Sequence, residues 1–260
     1  MLFTIAFWYA IMKRSDKKEG KDMNYPEYHG FRRFDFTFEG RDAVIVFPEE
    51  GKKNGKWMLK TEYFDAFPEL ELAMLERGYH LAYLKNNNRW GTDDDAAAKR
   101  DFAEYLSKEY GLSRRCVCIG MSCGGWEAVA FASLYPSYVS LLYLDAPLLS
   151  FFGLCEPYFT DWIDEHKRAR GYKTAGDRLV DNTLPIHRLG VLTDNRLPVA
   201  LVYGGADKVV DPKLNAEAVI DWYTLHNAPI KVWCKPDCDH HPHVAVNLNE
   251  VMDYIKENEL

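Results

Sequence analysis

The chain has 260 residues, of which 47% are hydrophobic and 27% charged, and its formal net charge is −7. That length suits one large α/β domain that buries its core without staples, and the balance excludes wholesale disorder. No basic stripe is present, which argues against nucleic-acid or anionic-membrane partners. Six cysteines form no C-x-x-C pair, so they read as free thiols in a reducing cytoplasm rather than a disulfide scaffold.

Residues 1–23 open with MLFTIAFWYAIM and continue into a charged stretch from Lys13 to Asp22. The apolar run is shorter than the ~20 residues that cross a bilayer, so no membrane span is expected. It also lacks the basic start and small-residue cleavage site of a signal peptide. It is set apart as an extension of open status, and residues 24–260 are taken as one domain. Phe34, Phe36 and Phe38 alternate with polar residues as in a half-buried strand. Ala43–Phe47 is a continuous apolar run, the mark of a strand buried on both faces. Pro68–Arg77 reads as a helix stopped by Gly78, and His80–Leu84 as the next strand. Thr92-x-x-Asp95 reads as a capping box opening a helix with Phe102, Tyr105, Leu106 and Tyr110 on one side, closed by Gly111. Strand Cys116–Ile119, helix Gly124–Leu134, strands Val139–Leu144 and Val199–Tyr203, helix Asn215–Leu225, strand Ile230–Trp233 and helix Val244–Ile255 follow. Alternating strands and helices imply crossover connections and a mostly parallel sheet flanked by helices.

The span from about Leu149 to Asn195 breaks this rhythm. It carries aromatics, Phe159 and Trp162 among them, but no strand pattern. Loops beyond about 15 residues are usually functional or disordered, and this one follows the end of a strand, so it is expected to be a lid. Phe159 and Trp162 are expected to line the substrate pocket.

Gly120-Met121-Ser122-Cys123-Gly124 matches G-x-S-x-G. With 17 glycines in the chain, chance supplies roughly 0.03 such matches. It falls between a strand and a helix, the setting of a nucleophile elbow. The turn presents the Ser122 hydroxyl above the sheet edge and aims the Cys123 N–H, at a helix start, toward a developing oxyanion. A nucleophilic serine needs a base, and the base an orienting acid. Asp207 lies in the turn between Val199–Tyr203 and the next helix. Asp145, at the end of Leu142-Tyr143-Leu144-Asp145, is the competing acid, better suited to anchoring the start of the lid. Asp211 before Pro212 suits a helix cap. The base lies in Asp237-Cys238-Asp239-His240-His241-Pro242-His243; His240 is chosen, with His241 as the alternative. Cys234, Cys238, His240, His241 and His243 also have metal-ligand chemistry, but no second ligand pair completes a zinc pattern, so neither metal nor cofactor is expected.

These segments resemble α/β-hydrolase-fold serine hydrolases, most closely esterase-like bacterial hydrolases related to prolyl-oligopeptidase and carbohydrate-esterase families. The resemblance rests on Lys56–Phe64, Gly120–Gly125, Asp145-Ala146-Pro147, Tyr203–Pro212 and Lys235–His243, spread from Gly40 to the C-terminus, with the elbow the specific part. It implies Ser122 as nucleophile, Asp207 as acid and His240 as base, in agreement with the residue-level choice. It also implies a second oxyanion donor in the loop after Ala43–Phe47, here Pro48 to Thr61. Trp57 marks that segment and is expected to face the substrate. Asp239 departs from the usual small residue before the histidine. The expected activity is hydrolysis of a carboxylic ester, with a small-molecule or carbohydrate-linked acetyl or aryl ester as substrate. A prolyl-oligopeptidase-type peptidase and a catalytically silent binding protein are the alternatives.

Overall fold

The computed structural model describes residues 26–240, 242 and 247–260. The apolar N-terminal run and residues 241 and 243–246 lie outside the described residues. The strands are β1 (Glu27–Tyr28), β2 (Phe31–Phe38), β3 (Arg41–Val46), β4 (Trp57–Lys60), β5 (His80–Leu84), β6 (Cys116–Met121), β7 (Val139–Asp145), β8 (Val199–Gly204) and β9 (Ile230–Lys235). They form one sheet in the order β1-β2-β3-β5-β4-β6-β7-β8-β9. The first three are antiparallel to their neighbours, and every pairing from β5 through β9 is parallel.

The helices are α1 (Glu69–Glu76), α2 (Asp93–Tyr110), α3 (Cys123–Leu134), α4 (Tyr158–Ala169), α5 (Ala175–Val180), α6 (Leu189–Asp194), α7 (Ala216–Leu225) and α8 (Leu248–Asn258). They cover both sheet faces. Side chains alternate along each strand, so Trp57, Leu59, Leu142 and Leu144 enter one core with Phe102 and Leu106 of α2, the buried face of α3, and Tyr223 of α7. Met58, Val117, Ile119, Leu141 and Tyr143 enter the other, with Leu70 and Met74 of α1 and Val251 and Ile255 of α8. Sheets covered on both faces need continuous apolar strands, which is how β6 and β7 read in sequence.

Two sequence expectations are corrected here. The stretch expected as a loop, Pro48 to Thr61, contains the strand β4: four residues, Trp-Met-Leu-Lys, buried on both faces, carry no alternation to mark them. Thr92 caps α2 without the expected box. Its hydroxyl donates to Asp95 Oδ2 at 3.0 Å, and Asp95 Oδ1 accepts from Arg41 Nη1 at 2.5 Å and the Asn87 N–H at 2.8 Å. A tertiary ion pair takes the carboxylate that a local cap would use. By contrast, Gly111 closes α2 in the left-handed conformation at φ 68°, as expected.

Between β7 and β8 the chain leaves the sheet. Phe151 and Leu154 join Trp90, Cys123, Trp126, Leu148, Leu184 and Val210 in a third apolar cluster, with Phe159 and Trp162 of α4 packed against it. The far end of the excursion, Leu189 and Leu192 of α6, belongs instead to the main core. The part that overhangs the sheet edge therefore ends before α6, sooner than the expected boundary near Asn195. Its root is stitched to the β8 exit: Leu154 bridges Val210, the Cys155 N–H donates to Val209 O at 2.9 Å, and the Asp211 N–H donates to Gly153 O at 2.7 Å.

Candidate active site

Ser122 stands between β6 and α3 with φ 51° and ψ −121°, a conformation costly for any side-chain-bearing residue, by about 1–3 kcal/mol. Its neighbours hold it there. The Ser122 N–H donates to Asp145 O, and the Ser122 carbonyl accepts from the Gly125 and Leu148 N–H groups, all at 2.9 Å. The turn is tight enough that a β-carbon on Gly120 would lie 2.6 Å from Gly124 O. A β-carbon on Gly124 would lie 3.2 Å from both Thr61 Oγ1 and Glu62 Cβ, so the second glycine of the motif is required less strictly.

Three side chains from separate loops meet at this turn. His240 Nε2 lies 2.9 Å from Ser122 Oγ, and His240 Nδ1 lies 2.7 Å from Asp207 Oδ2. A carboxylate opposite Nδ1 selects the tautomer protonated there, which leaves the Nε2 lone pair facing the serine hydroxyl. Asp207 Oδ1 accepts from the Val209 and Val210 N–H groups at 2.8 and 2.9 Å, which fixes the carboxylate's rotation. Asp239, the unusual residue before the histidine, accepts from the Lys208 and His240 N–H groups through Oδ1, each at 2.8 Å. These bonds hold its carboxyl below the usual range and tie the Asp207 turn to the His240 loop. His241 lies outside the described residues.

Asp145 is placed differently. Its side chain shares the sheet face of Tyr143 and Lys60, with Oδ2 3.4 Å from the Tyr143 hydroxyl, and lines a small cavity with Lys60, Glu71 and Met121. It is the backbone carbonyl of Asp145, rather than its carboxylate, that steadies the elbow. Asp211 is the expected cap, accepting from the Lys213 N–H at 2.9 Å.

Cys123 begins α3, so its N–H is among those a helix start leaves without an intrahelical acceptor. Its thiol is fully buried under the third cluster and is pushed up to about 11 by that burial, which makes it an inert neighbour of the serine. The second loop beside the elbow is corrected. Strand β3 runs antiparallel to β5, so the segment after it, from Pro48, lies at the opposite sheet edge. The loop beside Ser122 is the one leaving β4, Thr61 to Phe67, with Glu62 N 3.5 Å from the position of a β-carbon on Gly124. Trp57 is corrected with it. It occupies the amino end of β4, is 1% exposed, and donates from Nε1 to Ser113 O at 2.8 Å within the main core. Phe159 and Trp162 do lie over the elbow side, packed on the cluster that holds Cys123.

Residues unforeseen from sequence surround the same loop. Arg89 stacks over Trp162 at 5.0 Å and pairs with Glu165 at 3.1 Å, while Trp90 Nε1 donates to the same Glu165 oxygen at 3.0 Å. Two buried ion pairs flank the loop, Lys60–Glu71 on one sheet face and Lys99–Glu127 on the other. Among the described residues no three His, Cys, Asp or Glu side chains gather as a metal site would require, and His241 and His243 lie outside them.

No family model and no curated protein matches this sequence. Solved structures do match. Acylaminoacyl peptidase from Pyrococcus horikoshii superposes with a TM-score of 0.67 at 14% identity, over 93% of this chain and 45% of the peptidase. A Staphylococcus aureus protein assigned as an esterase superposes at 0.62 and 14% identity, over 97% of this chain and 90% of its own. MPT51 of Mycobacterium tuberculosis superposes at 0.62 and 14% identity, over 88% of this chain and 99% of its own. The chain spans between about a third and a half of the length of the peptidases it matches. With its mixed sheet, flanking helices and serine turn after the fifth strand of the β2–β9 series, this chain has the α/β-hydrolase fold.

Proposed function

We propose that the chain is a serine hydrolase that cleaves a carboxylic ester through an acyl-enzyme. The observation that carries this reading is the line from Asp207 through His240 to Ser122, with contacts of 2.7 and 2.9 Å. In this reading His240 Nε2 removes the Ser122 proton as Oγ attacks the ester carbonyl. Asp207 stabilises the imidazolium and keeps its orientation. The tetrahedral oxyanion is held by the Cys123 N–H and a backbone N–H from the Thr61–Tyr63 turn. His240 then returns its proton to the departing alcohol. A water enters, gives a proton to the same nitrogen and releases the acid.

Phe159 and Trp162 favour a flat acyl or sugar-linked group, so an aryl ester or a carbohydrate-linked acetyl ester is the proposed substrate class. No helix among the described residues is long and apolar enough to cross a membrane, and six free thiols support a reducing, cytoplasmic setting. The likeness to acylaminoacyl peptidase keeps peptide hydrolysis as the second reading. Labelling with a fluorophosphonate, then parallel assays on esters and on blocked peptides, tests both. Ser122-dependent labelling with ester turnover is the expected result. Turnover confined to peptides would replace it with the second reading, and absence of labelling would remove both.

A further inference from the structure

Both carbonyl and N–H of the Thr61–Glu62 peptide belong to one plane, and in a trans peptide they point in opposite directions. Whatever holds the Thr61 carbonyl therefore aims the Glu62 N–H. That carbonyl accepts from Asn86 Nδ2 at 2.6 Å, and the same amide nitrogen donates to Glu62 Oε2 at 2.7 Å. Asn86 leaves β5 on the carboxyl edge, next to the loop it grips.

The orientation of the Asn86 carboxamide is chemically determined. Lys99 Nζ, which can only donate, lies 2.5 Å from Asn86 Oδ1, so the NH₂ end must face Thr61 and Glu62. Lys99 is itself held by Glu127 Oε2 at 2.7 Å, and both residues are 1% exposed. The second Glu127 oxygen accepts from the Gly91 N–H at 2.8 Å. Burying such a pair gives little or no net stability, and an apolar pair of like volume often does better. A role in aiming a functional group explains its presence where stability does not.

Across the gap, the Thr61 hydroxyl lies 2.7 Å from Gly124 O and 2.9 Å from Ile119 O, so its single proton ties the loop to the elbow. We propose that Asn86, braced by the buried Lys99–Glu127 pair, is a positioning residue that sets the Thr61–Glu62 peptide plane and thereby supplies the Glu62 N–H as the second arm of the oxyanion hole. This rests on the serine-hydrolase reading and extends it to residues outside the triad.

Asn86→Asp tests it. The variant keeps the volume and the Lys99 contact but sets an acceptor against the Thr61 carbonyl and the Glu62 carboxylate. For a p-nitrophenyl ester, kcat per fluorophosphonate-titrated site is expected to fall about 100-fold, with KM within about threefold. Inhibition by phenylboronic acid, which forms a tetrahedral anion on the serine, is expected to weaken by the same factor as kcat. A role confined to stability would lower the thermal midpoint and the number of titrated sites, leaving kcat per site and boronate inhibition unmoved. Lys99→Met combined with Glu127→Gln covers the case in which Asn86→Asp fails to fold, since it removes both buried charges, keeps an acceptor for the Gly91 N–H and frees the carboxamide to rotate; kcat per site should fall about tenfold, again in step with boronate affinity. Values of both readouts within about threefold of wild type in the folded variants would overturn the proposal, while Ser122-dependent turnover by the wild type would leave the hydrolase reading standing. A wild type that neither labels nor turns over esters would end both.

Discussion

The two ends of β4 are three residues apart and follow opposite rules. At the amino end, Trp57 fills the main core and meets its one polar need with the Ser113 carbonyl. The nearby His80 is buried against Phe47, and that burial pushes its pKa down to about 4, favouring the neutral ring. At the carboxyl end, charge goes inside: Lys60 with Glu71, Lys99 with Glu127, Asp207 with His240. Charges are expensive to bury and neutral packing is not. On the proposed function, the amino end serves stability and the carboxyl end chemistry, and substitutions at the two ends should fail in different ways.

The largest effect is expected at Ser122. Ser122→Ala should lower kcat by about 10⁶ with an unchanged thermal midpoint. Equal turnover in the variant would put the chemistry elsewhere. Asp207→Asn should follow, at about 10⁴ in kcat, because the amide holds the wrong imidazole tautomer. Asp145→Asn, measured beside it, should leave kcat near wild type and lower stability by roughly 1–3 kcal/mol. A large rate loss at Asp145 with none at Asp207 would reverse the acid assignment. Trp57→Ala is the mirror case. Urea unfolding should show a loss of about 3–5 kcal/mol with kcat unchanged, and a large rate effect would break the division between the two ends.

The smallest expected effect is on pH dependence. His80 is pushed down to about 4 and His166, buried on the inner side of α4, to about 3, both mainly by desolvation. Their unfolded counterparts titrate near 6.5, so between that pH and the folded values the unfolded chain binds more protons. Stability should therefore fall as pH drops through this window. His80→Leu should flatten the slope of the thermal midpoint between about pH 6.5 and 4. A slope as steep as wild type would assign the acid sensitivity to other groups.

How much of this was legible in the sequence follows the same division. The turn at Ser122 reads clearly because an apolar strand, a G-x-S-x-G run and a helix pattern follow one another. Asp207 and His240 read from their order and their places after strands. The loop beside the elbow did not. Its strand is four residues long and buried on both faces, so nothing in Trp-Met-Leu-Lys announces a period, and the sequence points instead to the stretch before it. Trp57 is displaced from the site for the same reason: it belongs to the buried start of that strand. Lys60, Lys99 and Glu127 escaped because charged residues in a helix or at a strand end ordinarily face water. Asn86 carries no motif; its importance exists only once three elements converge on it.

The stitched root of the overhanging segment has a practical consequence for engineering. Leu154 and Cys155 are joined to Val210 and Val209, and the latter two N–H groups are the ones that hold the Asp207 carboxylate. An exchange of this segment for one from another protein would tug on the acid if its junction fell before Cys155. Grafts spliced after Cys155 and ending before Leu189 would exchange the aromatic segment proposed to meet the substrate while keeping the turn that carries Asp207, and this is where a library aimed at new substrates should be cut.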